Sequence, residues 1–376
     1  MAKPRSIFEE VGSKPAEPVV VRPQRPQGDR SAIRVWLAVL FALVVAMIAV
    51  GGLTRLTESG LSITEWRPVT GALPPADEAA WQAEFDKYRA SPQYAAVNEG
   101  MSLEAFKQIY WWEWGHRQLG RLVGLVWAVG LGWFAVRRKV PPGWMPRLIG
   151  IGVLGGLQGA IGWWMVRSGL NPGMESVAST RLAVHLGLAF ALLGLIAWYI
   201  LRLGRSEAEL LQARRQRSEA LMAWGTVLIV VAFVQILLGA LVAGIDAGRN
   251  YTDWPLMGGE FFPSTAFNLE PLWTNFIDNP GLVQFMHRMA GYLLVAVGLA
   301  AWRRSRTSAM ENIRGAFAAM LLMLLLQLAL GIATVMHGAP LSFAILHQLG
   351  AVAAFALIVR ARFAALYPQA QKIARA

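Results

Sequence analysis

Long apolar runs alternate along this chain with short segments rich in proline, arginine and other polar residues. Eight runs of about 18 to 24 residues stand out, at about 33–53, 118–136, 146–166, 182–201, 221–244, 285–302, 315–336 and 343–363. A helix of that length crosses roughly 30 Å of hydrocarbon at 1.5 Å per residue, so each run predicts a membrane span. The fold class expected is all-α and integral to a membrane, with eight transmembrane helices. Residues 1–32 are polar and rich in Pro and Arg, with no apolar stretch directly after a short basic start. They read as a disordered tail and not as a cleaved signal, which leaves the first apolar run as a retained anchor.

The segment between the first two runs, 54–117, has its own pattern. Trp81, Phe85 and Tyr88 recur at helical spacing, as do Phe106, Tyr110 and Glu113 after a capping residue at Ser102. Short amphipathic helices over the mouth of the bundle are expected here; a plain cover for loop backbone at the interface is the alternative.

The chain also repeats itself. Gly51-Gly52-Leu53 with Gly60, Thr64, Glu65 and Trp66 returns as Gly239-Ala240-Leu241 with Gly248, Thr252, Asp253 and Trp254. His116-Arg117 with Gly120 returns as His287-Arg288 with Gly291, Gln158 with Gly162 as Gln327 with Gly331, and His185 as His347. Four spans per half is an even number, so the halves share one orientation and are related by an axis along the membrane normal. The reading is two pseudo-symmetric four-helix bundles, a parallel repeat: 33–203 and 221–366, joined by a linker at 204–220 and followed by a tail at 367–376.

Composition narrows the class. Hydrophobic residues make up 55% of the chain and charged ones 15%, against roughly 45–50% and 25% in ordinary soluble domains, which excludes a water-soluble globule. A net charge of +12 would suit nucleic acid, but 24 of the 35 Lys and Arg residues fall in 1–34, 137–147, 202–219, 303–314 and 360–376. These segments lie on one side of the expected topology, so the basic residues set orientation and place both termini in the cytoplasm. The outer segments are 54–117, 167–181, 245–284 and a short turn near 337–342. Without cysteine, the chain has no disulfide, thiolate or Cys-ligated cluster.

Four of the five histidines occupy repeated positions: His116 and His185 in the first half, His287 and His347 in the second. Each falls near the outer end of the second or fourth span of its half, and an ionisable ring inside a bundle marks function by default. Two imidazoles on facing helices make an axial pair for haem iron. Zinc fits less well, because a catalytic zinc takes three protein ligands and each half offers two His with few carboxylates nearby. His337 has no counterpart and belongs at the surface of a turn. Gly120, Gly124, Gly187, Gly291 and Gly350 either let a ring plane approach the backbone or serve ordinary helix packing. On the outer side, Arg117, Arg181, Arg288, Arg55 and Arg249 either bind haem propionates or anchor the interface.

The halves differ where the first histidine is approached: Glu113-Trp114-Gly115-His116 against Gln284-Phe285-Met286-His287. Positions i and i+3 share a helix face, so Glu113 is expected to look toward the pocket of His116. There it takes protons or stabilises a developing cation, which an amide cannot do. An interfacial acid paired with Arg117 is the bland alternative. The first half reads as catalytic and the second as a cofactor site.

Gly51-Gly52-Leu53-Thr54-Arg55-Leu56-Thr57, Ser59-Gly60-Leu61-Ser62, Glu65-Trp66, Ile109-Tyr110, Glu113-Trp114, His116-Arg117 and Leu119-Gly120-Arg121 resemble the haem A synthase family across all eight spans. The resemblance implies an oxidoreductase that converts a ring methyl of haem O to a formyl group in two steps, giving haem A for cytochrome oxidase. It implies that His116 and His185 face the substrate haem, that Glu113 is the essential acid, and that His287 and His347 ligate haem b. The absence of cysteine matches the branch of proteobacteria and mitochondria and rules out electron transfer through a loop disulfide. A proteobacterial inner membrane is expected, with the haem sites toward the periplasm. A haem O synthase and oxidase assembly factors are the implied partners, and a homo-oligomer is compatible. The competing readings are a diheme b-type membrane electron carrier, which has no use for a carboxylate in one half only, and a parallel-repeat transporter. The latter would need polar residues at the midplane, where Gln158 and Gln327 are the candidates.

Overall fold

A computed structural model describes residues 28–369. The expectations for the tails at 1–27 and 370–376 lie outside the described residues. Twelve α-helices occur among those described: α1 (Arg30–Leu56), α2 (Glu78–Arg89), α3 (Pro92–Val97), α4 (Leu103–Val136), α5 (Met145–Gly169), α6 (Ser179–Leu203), α7 (Glu207–Arg214), α8 (Glu219–Gly244), α9 (Asn275–Asp278), α10 (Pro280–Ser305), α11 (Glu311–Met336) and α12 (Leu341–Leu366). Eight of them, α1, α4, α5, α6, α8, α10, α11 and α12, are long and apolar enough to cross a membrane. The protein is therefore an all-helical, multi-pass membrane protein.

Local chemistry sets the helix starts. Asp29, Asp77, Ser102, Ser218 and Asn279 each accept a backbone N–H of the first turn with their side chains, at α1, α2, α4, α8 and α10. The first helix thus begins at Arg30, inside the segment read as tail. The linker at 204–220 holds α7, opened by a reciprocal capping box between Ser206 and Glu209.

The largest departure from the sequence pattern is α4, which runs unbroken from its Ser102 cap through Glu113, Gly115 and His116 to Val136. The amphipathic stretch expected to be a separate short helix is the outer end of the second span. A hydrophobic cap explains why it continues: Phe106 and Tyr110 pack against Phe85 and Tyr88 of α2, with the Phe85 and Phe106 rings stacked at 5.0 Å. Asn98 Nδ2 donates to Tyr88 Oη (2.6 Å), and Gln93 Nε2 donates to the carbonyl of Glu58 (3.1 Å), which ties the cap to the end of α1. Burial pushes the Tyr88 phenol above its ordinary pKa.

Spans one and four of each half form the centre of the molecule: α1, α6, α8 and α12 pack on one another. Phe190 of α6 meets Phe355 of α12 edge-on at 5.8 Å, and the Phe355 ring rests on Gly194. Spans two and three form outer pairs, α4 with α5 and α10 with α11. Of the membrane-crossing window, 33% is buried in each central helix and 28% in α10 and α11, but only 6% in α4 and α5.

Candidate functional site

Each paired histidine is seated on a glycine of another span. A β-carbon on Gly51 of α1 would stand 2.8 Å from Cε1 of His116, and one on Gly162 of α5 would stand 2.9 Å from Cε1 of His185. In the second half Gly239 of α8 receives His287 in the same way (3.0 Å) and Gly331 of α11 receives His347 (2.9 Å). Any side chain at these four positions would displace an imidazole. Glutamines bond to the fourth-span histidines: Gln158 Nε2 donates to the carbonyl of His185 (2.9 Å), and Gln327 Nε2 to that of His347 (2.6 Å). Both glutamines therefore bond within the bundle, to the histidines.

The glycines expected to form a slot do other work. Gly120 meets Met47, Gly187 meets Leu237, Gly291 meets Gln235 and Gly350 meets the Gln327 amide, whereas Gly124 has open space. The true seats were visible only as members of the repeat.

The second-half donor set fits a metal macrocycle held from two sides. His287 and His347 have ring centres 6.4 Å apart with planes at 85°, and two nitrogen–metal bonds of about 2 Å plus two ring radii add up to about this span. Nδ1 of His116, His185 and His287 is buried without a hydrogen-bond partner, as is Oε1 of Gln158 and Gln235. Such orphans are costly in a finished interior and mark places built for another group. Among the described residues there is no cluster of three His, Cys, Asp or Glu suited to a metal.

Glu113 is buried one turn before His116. Its Oε1 accepts from Arg117 Nη2 (2.6 Å) and Nε (3.1 Å), and its Oε2 from Ser62 Oγ and the Ile63 amide, both at 2.8 Å. Arg117 also donates to the carbonyls of Ile63 (2.7 Å) and Glu65 (3.0 Å). The pairing with Arg117 is thus real, with Glu113 buried and Arg117 half-buried. In the second half Arg288 donates to the matching carbonyls, Tyr251 (2.9 Å) and Asp253 (3.0 Å), while Gln284 donates to Tyr251 (2.9 Å) and leaves its Oε1 unpartnered. Ile63 escaped the sequence reading and Ser62 entered it only as part of a motif, because only tertiary contact reveals their role.

The remaining arginines divide. Arg55 pairs with Asp246 across the two halves (2.6 Å), and Arg181 donates to the Trp164 carbonyl (2.7 Å) while lying over its ring. Arg249 is exposed, and its side chain has no hydrogen bond or ion pair among the described residues. His337 is exposed at the α11–α12 turn, its Nδ1 2.8 Å from the Ala333 carbonyl.

An eight-span helical membrane protein with two glycine-seated histidine pairs and one buried carboxylate belongs to the class of haem-handling membrane proteins. The family model described as COX15-CtaA, cytochrome oxidase assembly protein, matches residues 34–359, and the chain belongs to that family. Relatives of similar length are named heme A synthase. That of Ruegeria sp. (strain TM1040) is 61% identical over 98% of each chain, that of Dinoroseobacter shibae 60% over 99% of each, and that of Paracoccus denitrificans 59% over 97% of each.

Proposed function

We propose that this protein is a haem A synthase, an oxidoreductase that converts a ring methyl of haem O to the formyl group of haem A. Identity near 60% over almost the whole length to proteins of that name supports the reaction. The observation that carries the division of labour is the one-sided carboxylate: both halves seat two histidines alike, but only the first has Glu113, and only the first has loosely closed outer helices.

In this reading residues 33–203 form the substrate half, in which His116 and His185 flank haem O. Residues 221–366 form the cofactor half, in which His287 and His347 hold haem b. Haem b supplies a one-electron acceptor when bound. Glu113 provides a negative charge fixed by four donors before substrate arrives, so no reorganisation is needed when positive charge develops at the reacting carbon. Arg117 and Arg288 hold the outer loops over the two sites through backbone carbonyls, so that, of the five candidate arginines, Arg249 is the one whose side chain is left free among the described residues to meet a propionate. The basic segments support a topology with both termini in the cytoplasm and the sites toward the periplasm of an inner membrane. A haem O synthase would deliver the substrate, and oxidase assembly factors would take the product.

The test is extraction of the haems from protein purified in detergent, with identification by chromatography and mass. Haem b together with haem O or haem A is expected. Haem b alone at two per chain would instead define a diheme electron carrier.

A further inference from the structure

The two histidine pairs are joined by a contact that runs from the second half into the first. Next to His347 on α12 stands Gln348, whose Nε2 donates to the Ile48 carbonyl of α1 at 2.6 Å. A helical carbonyl has a second lone pair beyond the one its own helix uses, so this donor adds to the turn without breaking it. The Gln348 amide lies flat on Gly52: a β-carbon there would collide with Oε1 and come within 2.6 Å of Cδ and Nε2. The next residue back, Gly51, is the seat of the His116 imidazole. The path from His347 through Gln348, Gly52 and Gly51 to His116 therefore alternates covalent neighbours with tight contacts. The first half has no counterpart, because the residue after His185 is Leu186.

Resting on the assignment of His116 to the substrate and His347 to the cofactor, we propose that Gln348 is a positioning residue. It sets the His116 wall of the substrate site from the His347 end of the cofactor site, so that the two sites keep one separation and one mutual orientation.

The test uses the full-length protein in detergent, with Gln348→Leu, Gly52→Ala, Gln348→Ala and the double variant Gly52→Ala/Gln348→Ala. The readouts are haem A formed, the low-spin resonance of each bound haem, and the thermal midpoint. Gln348→Leu should keep haem b content, its resonance and the midpoint, shift the resonance of the first-half haem, and lower turnover about ten- to a hundredfold, the scale of an ångström's misplacement. Gly52→Ala should do the same or worse, and removing the glutamine in the double variant should restore its first-half resonance to that of Gln348→Ala alone. Unchanged turnover and first-half resonance in Gln348→Leu would overturn the proposal. So would equal losses at both sites with a lowered midpoint, which indicate packing alone. A first-half resonance that survives His116→Ala would overturn the assignment of His116, and the proposal with it.

Discussion

The outer helices α10 and α11 close on each other in the second half, while α4 and α5 stand more open in the matching place in the first. The packing itself is inverted. In the first half Trp127 of α4 lies on Gly152 of α5, and its Nε1 donates to the Leu148 carbonyl at 2.9 Å. Aligning His116 with His287 brings Trp127 onto Gly298, and there the small residue is on α10, while Leu324 of α11 fills the hole. One large ring near the inner end holds α4 to α5, and at the outer end it is a loop residue, Trp66, that meets Trp163 of α5 at 5.0 Å. Interlocked aliphatic side chains hold α10 to α11. The difference fits the proposed division of labour: a resident cofactor is best enclosed, whereas a substrate that enters and leaves needs a wall that can yield.

Several changes would break or sharpen that contrast. The largest effect is expected from His287→Ala, which should strip haem b from the purified protein; His116→Ala should abolish haem A formation and leave haem b in place, both read by the haem spectrum. Glu113→Gln copies the second half into the first and should lower haem A formation by about 10²–10³, the usual loss of a fixed charge facing a developing one, with haem b content unchanged. Gly239→Ala and Gly51→Ala should each cost about 1–3 kcal/mol by overpacking. The former should shift the haem b spectrum, and the latter should lower turnover and shift the first-half haem spectrum while leaving that of haem b unchanged. Trp127→Phe should remove about 1 kcal/mol with its hydrogen bond, loosening α4 from α5 and lowering the thermal midpoint by a few degrees.

The smallest effect separates the outer loops. Asp253 accepts the amides of Gly258 (2.8 Å) and Gly259 (3.0 Å), which hold its carboxyl below the usual carboxylate range. Because the folded-state value is the lower one, this tether is at full strength above the ordinary carboxylate pKa and is lost as pH falls through the folded-state value. Its counterpart Glu65 pairs instead with Arg67 and Lys87 at the surface, and the Lys87 ammonium is raised by its hydrogen bond to Glu84. Limited proteolysis should find the second loop opening in acid, a response that Asp253→Asn flattens, and the first loop loosening in high salt.

The eight spans were legible because apolar length is a property of sequence alone. The four histidines were legible because the repeat singles them out. The join of the outer amphipathic stretch to the second span was not, since the apolar run begins only at 118, after the polar pair His116-Arg117. Only packing of Phe106 and Tyr110 on α2 carries the helix through them. The seats at Gly51, Gly162, Gly239 and Gly331, the loop-holding task of Arg117 and Arg288, and the reach of Gln348 into α1 are contacts between distant segments. Nothing in local spacing distinguishes them from ordinary helix packing.

The unbroken α4 has a mechanical consequence. Its 34 residues make a rod of about 51 Å at 1.5 Å per residue, some 20 Å longer than the hydrocarbon it crosses. The surplus is the stretch from Leu103 to about His116, so the aromatic cap and the imidazole sit on one stiff lever without a hinge between them. A push on the cap from outside would arrive at the ligand as rotation or sliding of a rigid body.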